Sequence, residues 1–182
     1  MALTPSNMLP LDTVAPDFDL VDAVSGERFT VASFADAPLL CVMFICNHCP
    51  FVIHVQDELG RVVADYPDVA FVAINSNDVE NYPQDSPENM KALFESRGWE
   101  FPFLFDEDQS VAKAYEAACT PDFYVFDGER RLAYRGRLDE SRPESGVELT
   151  GADLRAALDA AMKGDRVEQQ LPSMGCNIKW KA

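Results

Sequence analysis

Cys46-Asn47-His48-Cys49-Pro50 sets two thiols three residues apart, directly after the apolar run 38–45 and before a helix-like segment. The first turn of a helix carries backbone N–H groups without intrahelical partners, and these favour negative charge. The thiolate is the reactive form of cysteine, so a cysteine held there is activated. The spacing predicts that Cys46, at the helix mouth, is the more exposed and more acidic nucleophile. Cys49, pointing back under the first turn, then resolves the mixed disulfide that Cys46 forms. Two buried structural cysteines, or two metal ligands selecting Cu(I) or Zn, are the competing readings. Haem attachment needs a histidine after the second cysteine, where Pro50 stands. A structural zinc site wants four ligands and there is no second C-x-x-C, so neither a metal nor a cofactor is assigned.

His48 is expected on the exposed side of the first helical turn, where an imidazolium would stabilise the Cys46 thiolate. Asn47 reads as a residue of the N-cap region whose side chain satisfies a free N–H. His54 reads as a surface or packing residue, and Cys41, in mid-strand, as core. Arg135 and Arg137 read as exposed strand-end residues.

The elements that must position these groups alternate in type. Segments 17–22 and 28–31 flank Ser25-Gly26 as a short hairpin. The run 39–45 is continuously apolar, as in a central strand buried on both faces. Val52, Val55, Leu59, Val62 and Val63 recur at helical spacing over 50–66, and 68–75 is a second buried strand. Pro87-Glu88 starts a helix that Gly98 ends. A short strand at 103–105 and a helix at 110–118 follow, then a strand at 123–126, a turn at Asp127-Gly128 and an antiparallel partner at 132–135. Thr150 and Asp153 resemble a capping box opening a last helix that Gly164 stops. Residues 165–182 read as an irregular tail.

The 182 residues, 47% hydrophobic and 25% charged, suit one domain, 1–182, with 165–182 as a tail docked on it. Leu171, Met174, Ile178 and Trp180 motivate the docking, with Trp180 at least half buried, because each such side chain contributes about 1.5–3 kcal/mol when buried. Fifteen basic against 31 acidic residues give a net charge of −16, which argues against nucleic-acid and anionic-membrane partners. No stretch approaches the roughly 18–20 apolar residues of a membrane span. The first ten residues carry no basic residue or long apolar block, so no secretory signal is read there. Five cysteines, an odd number at low density, suit a reducing compartment, and the expected location is cytoplasmic.

The order of elements, the Cys46/Cys49 pair and Thr120-Pro121 together resemble the thioredoxin-like superfamily. Val14-Ala15-Pro16-Asp17-Phe18 is similar to the opening of redoxin and alkyl-hydroperoxide-reductase-type domains, as is Phe105-Asp106-Glu107-Asp108 with Val111-Ala112-Lys113-Ala114-Tyr115. The cysteine motif combined with the terminal run Pro172-Ser173-Met174-Gly175-Cys176-Asn177-Ile178-Lys179-Trp180 resembles a peroxiredoxin-like subgroup. The resemblance implies an α/β chain: a three-layer α/β/α sandwich with a mixed sheet and an N-terminal β-hairpin extension. It implies a cis bond before Pro121, with the backbone of Thr120 and Pro121 beside the dithiol, where a substrate chain could add as a strand. Cys119, one residue before, then lies near the pair, and Cys176 could be a third redox thiol if the tail reaches it. The tail is expected to dock without Cys176 being catalytic.

The chain departs from both models. Where peroxiredoxins carry threonine or serine three residues before the peroxide-attacking cysteine, it has Cys46. Where thioredoxin carries a buried aspartate six positions before the first cysteine, it has Leu40, so the expected proton relay to Cys49 is missing. The resulting expectation is a thiol–disulfide oxidoreductase acting on a disulfide-containing protein or small thiol and restored by a cellular thiol reductant. A peroxide reductase and a metal-binding or metallochaperone module using the same cysteines are the alternatives.

Overall fold

In the computed structural model, which describes residues 3–182, the centre is β4 (Leu39–Phe44), whose six side chains are all buried. Consecutive side chains of a strand point to opposite faces. Leu39, Cys41 and Met43 therefore enter one apolar core, while Leu40, Val42 and Phe44 enter another. This double burial is what the unbroken apolar run requires.

β4 pairs in parallel with β5 (Val69–Asn75) and antiparallel with β8 (Asp122–Phe126). Outward from β5 come β6 (Phe103–Phe105), β2 (Asp19–Asp22) and β3 (Arg28–Thr30); outward from β8 comes β9 (Leu132–Gly136). The β2–β3 hairpin turns at Ser25-Gly26 as expected. Helices α1 (Pro50–Asp65), α2 (Pro87–Arg97) and α4 (Ala152–Met162) pack on the Cys41 face, and α3 (Ser110–Ala114) on the Phe44 face. The result is the expected three-layer α/β/α arrangement with a mixed sheet. Among the described residues no helix is long and apolar enough to cross a membrane.

Two expectations about helix ends fail. α3 stops at Ala114 rather than 118, because Glu116 adopts a left-handed φ of 50° that breaks the helix. Thr150 does not cap α4; the N-cap is Gly151 at φ 66°, without a side-chain bond. Instead, the N–H groups of Thr150 and Gly151 are both held by the Asp139 carboxylate at 2.7 Å.

The tail is not irregular. Met174–Asn177 form β10, sandwiched between β1 (Leu3–Pro5) and β7 (Cys119–Thr120) in a second, three-stranded sheet. The register sets Cys176 opposite Thr120 and Asn177 opposite Cys119. Ile178 is buried in the Phe44-side core, and its N–H donates to the Ala118 carbonyl at 3.0 Å. Trp180 keeps 42% of its surface exposed, so it is more than half buried.

Arg135 is fully buried rather than exposed, because β9 is covered by the tail segment: its N–H bonds the Gln170 side chain. Its guanidinium donates to Asp122 at 3.1 Å and lies over the Tyr124 ring, 4.4 Å from the centroid. Burial lifts the Asp122 carboxyl to about 6, against the lowering effect of Arg135, Ser6 and Tyr124. A carboxyl whose folded pKa is raised holds its proton more tightly when folded, so stability falls as pH rises through about 6. Removing one partner of a buried pair costs about 3–5 kcal/mol. Arg135→Met is expected to destabilise by that order in urea unfolding at pH 8. At pH 5 the loss should be smaller, since Asp122 is then protonated with or without Arg135. Adding Asp122→Asn should recover much of the pH 8 loss.

Candidate active site

β4 ends at Phe44, the chain turns through Cys46-Asn47-His48, and α1 begins at Pro50 with Cys49 as its N-cap. Proline suits the first helical position, where its missing N–H would have had no partner. The helix terminus thus belongs to Cys49, not to Cys46. The two cysteines are buried in one cluster, and each thiol acts on the proton affinity of the other. Both meet Thr120: Cys46 Sγ lies 3.4 Å from its hydroxyl, and Cys49 Sγ lies 3.3 Å from its carbonyl oxygen. The Thr120–Pro121 bond is cis.

The expected difference between the two thiols is reversed. Cys46 is 1% and Cys49 0% exposed, so Cys46 is not the open one. The interaction with Cys49 holds the Cys46 thiol well above the ordinary range, and burial and the Asp85 carboxylate add to this. The Cys49 thiol is lowered first by its interaction with Cys46. Burial opposes this, but the Cys176 thiol, the Val52 N–H and the Cys176 backbone also stabilise its anion. Cys49 is therefore the more acidic of the two, although its 3.3 Å approach to the Thr120 carbonyl is made as a donor, by the thiol form.

Asp85 is the site residue that sequence reasoning missed. It follows a proline in a one-turn helix, Pro83–Asp85, 36 or more residues from the cysteines, in a loop with no signature of its own. Fully buried, it accepts the N–H groups of Asn47 at 2.8 Å and His48 at 3.1 Å. Its other oxygen meets the Asn77 amide at 2.8 Å and His48 Nδ1 at 2.5 Å. His48 is accordingly not on the exposed side of the turn: its side chain is 18% exposed, tied to Asp85 and stacked on Tyr82 at 5.5 Å. Cys46, His48 and Asp85 place a sulfur, a ring nitrogen and a carboxylate oxygen within 4.8 Å of one another, a donor set that could hold a metal ion. Asn47 does not cap the helix; its Oδ1 is buried without a partner among the described residues, for which we have no physical account.

The remaining sequence candidates separate cleanly. Cys176 reaches the pair: it lies in the same buried cluster, and burial followed by the interaction with Cys49 pushes its thiol up to about 12. Cys119 is buried next to Thr120, but strand alternation turns its side chain away from the pair, and it bonds the Ser6 side chain. Burial raises it, as it does the core thiol Cys41. The edge of β7 expected to receive an added strand at Thr120 is filled by β10. His54 bonds the Ser141 hydroxyl at 2.8 Å, as a packing residue would. A groove of about 890 Å³ between α1 and the 97–102 segment is lined by no cysteine. A cleft of only about 30 Å³, lined by Phe51, Val55, Pro121 and Met174, lies beside the thiols.

The family model described as Redoxin matches residues 11–151. No curated protein matches the chain. Two solved structures align over nearly its whole length. A hypothetical protein from Sinorhizobium meliloti 1021 is 51% identical, with 98% of this chain and 99% of that one covered and a TM-score of 0.96. An uncharacterized conserved protein from Geobacillus kaustophilus is 54% identical, with 100% and 97% covered and a TM-score of 0.96. A secreted Mycobacterium tuberculosis disulfide oxidoreductase, described as homologous to Escherichia coli DsbE, shares the fold at 20% identity, covering 79% and 95%, with a TM-score of 0.61. With its motifs, mixed sheet and family match in agreement, the chain is a thioredoxin-like redox protein and belongs to the Redoxin family.

Proposed function

We propose that this protein is a thiol–disulfide oxidoreductase whose Cys46 and Cys49 cycle between dithiol and disulfide. The observation that carries this reading is that, at the head of α1, both sulfurs close on one residue, Cys46 Sγ 3.4 Å from the Thr120 hydroxyl and Cys49 Sγ 3.3 Å from its carbonyl oxygen. In this reading Cys49 takes the Cys46 proton as Cys46 attacks one sulfur of a substrate disulfide. A Cys46–substrate disulfide forms, and the other substrate sulfur leaves as a thiolate. Cys49, giving up its proton, then attacks Cys46, releasing the second substrate sulfur as a thiolate. The substrate gains two electrons, and the oxidised pair is reset by a cellular thiol reductant. His48, held by Asp85 beside Cys46, offsets negative charge developing there. The substrate class is a protein disulfide or a small disulfide, and the low, odd cysteine count is what supports a reducing cytoplasm as the location.

The Cys49 anion at a helix N-cap favours a second reading, peroxide reduction. Its thiolate would attack one peroxide oxygen, breaking the O–O bond and expelling a hydroxide or alkoxide that leaves, once protonated, as water or alcohol. The resulting sulfenic acid would condense with the Cys46 thiol, forming the disulfide and releasing water. The Cys46, His48 and Asp85 donor set favours a third, metal-binding reading.

Dithiothreitol-dependent insulin reduction is expected from the wild type and should drop roughly a hundredfold or more in both Cys46→Ser and Cys49→Ser, because neither thiol alone completes the cycle. Peroxide consumption that survives Cys46→Ser but not Cys49→Ser, without insulin reduction, would establish the second reading instead. Stoichiometric metal in the reduced protein, lost in His48→Ala and Asp85→Asn, would establish the third.

A further inference from the structure

Cys49 has two sulfur neighbours rather than one. Besides Cys46 it has Cys176, which arrives from the far end of the chain on β10 and is buried in the same cluster. That placement is enforced by backbone. β10 is the middle strand of its sheet, and Cys176 stands opposite Thr120, whose carbonyl also meets Cys49. Gly175 passes so close that a Cβ there would lie 2.0 Å from the Thr120 oxygen. Beyond the strand, Lys179 is stitched to the loop that holds Asp85. Its N–H donates to Asn77 at 2.8 Å, and Asn77 in turn donates to Asp85. All three sulfurs are at most 2% exposed. Packing alone would not need a third thiol in contact with a redox pair, since alanine or serine fits a similar space.

We propose that Cys176 is an internal exchange partner of the pair, so that the disulfide moves between Cys46–Cys49 and Cys49–Cys176. This rests on the reading of Cys46 and Cys49 as a redox couple. In the step, the Cys176 sulfur attacks Cys49, the Cys49–Cys176 bond forms and the Cys46–Cys49 bond breaks. The proton lost by Cys176 ends on the departing Cys46 sulfur, and no external oxidant or reductant is consumed. Cys176 is held opposite Thr120, the residue whose carbonyl Cys49 meets, and shares one buried cluster with Cys46 and Cys49, so the attacking sulfur starts beside the pair. A disulfide asks for Cα atoms about 4.4–6.8 Å apart. Two consequences follow. Cys46 is returned as a free thiol while the oxidising equivalent is stored beneath the tail, and β10 becomes covalently tied to the head of α1. While β10 is tied there, the β7 edge at Thr120 stays closed to any added substrate strand. The tail thus couples the redox state of the centre to access by extended protein substrates.

The test is disulfide mapping. Reduced full-length protein is treated with one equivalent of diamide, quenched in acid, alkylated with N-ethylmaleimide and analysed as peptides by mass spectrometry. Wild type should yield both Cys46–Cys49 and Cys49–Cys176 peptides. Cys176→Ser should yield only the first, and Cys46→Ser only the second. Gly175→Ala, combined with Cys46→Ser, should slow closure of Cys49–Cys176 roughly tenfold or more, because the added methyl forces β10 off Thr120. Circular dichroism confirms that this variant keeps its secondary structure. If Cys46–Cys49 forms while Cys176 is fully alkylated in wild type and stays free in Cys46→Ser, the exchange is refuted and the redox pair stands. If Cys46–Cys49 itself never forms, the pair reading falls and the exchange with it. Closure in the Gly175→Ala background as fast as in its parent would also refute a role for the docked strand.

Discussion

The Thr120 carbonyl is where the structure converges. Cys49 reaches its oxygen at 3.3 Å from the head of α1, and Gly175 passes close enough that no side chain could be fitted there. Only glycine permits that approach, so a strand from the last ten residues of the chain can pair with β7. The pairing in turn fixes Cys176 at Cys49, closes the free edge of β7 and delivers Ile178 to the core on the Phe44 side. Beneath it, the buried Asp122–Arg135 pair supports the residue that follows Pro121. The candidate centre is therefore assembled from four distant segments, and the tail is one of its walls.

The electrostatics of the centre are asymmetric. Asp85 holds the turn before α1 by two backbone N–H bonds and faces Cys46, where its charge opposes a thiolate. Cys46, Cys176 and the Val52 backbone all favour the Cys49 anion, while the Cys49 thiol donates to the Thr120 carbonyl. A helix N-cap supports an anion for the reason given by its unpaired N–H groups. The same aspartate that organises the turn thus pushes charge from the first sulfur to the second. His48, bound to Asp85, is the group positioned to modulate that push.

Much of this was legible in the sequence. Continuous apolar runs located β4 and β5, helical spacing located α1, and Ser25-Gly26 located the hairpin. The Cys46/Cys49 pair at a strand-to-helix junction pointed to the centre, as did Thr120-Pro121. What could not be read was long-range. β10 is only four residues, with alternating burial too short to register against a polar background, and it becomes a strand because β1 and β7 provide partners on both edges. Asp85 carries no local pattern, since its importance lies in bonds to residues 47, 48 and 77. Arg135 looked exposed because a lone charge in a strand usually is, and only the covering segment at Gln170 buries it. The acidity of the two thiols was inverted because the helix begins after Cys49, one turn later than motif spacing suggests.

The central claim is that Cys49 is the more acidic thiol of the reduced centre, lowered first by its interaction with Cys46 and further by Cys176 and the Val52 backbone. Cysteine Cβ chemical shifts, followed by NMR against pH in the fully reduced wild-type protein, report thiol or thiolate at each sulfur separately. The account predicts that Cys49 is the first of the five cysteines to lose its proton as pH rises, below the ordinary thiol range, while Cys46 and Cys176 remain protonated through neutral pH. A Cys46 that titrates before Cys49 would contradict it.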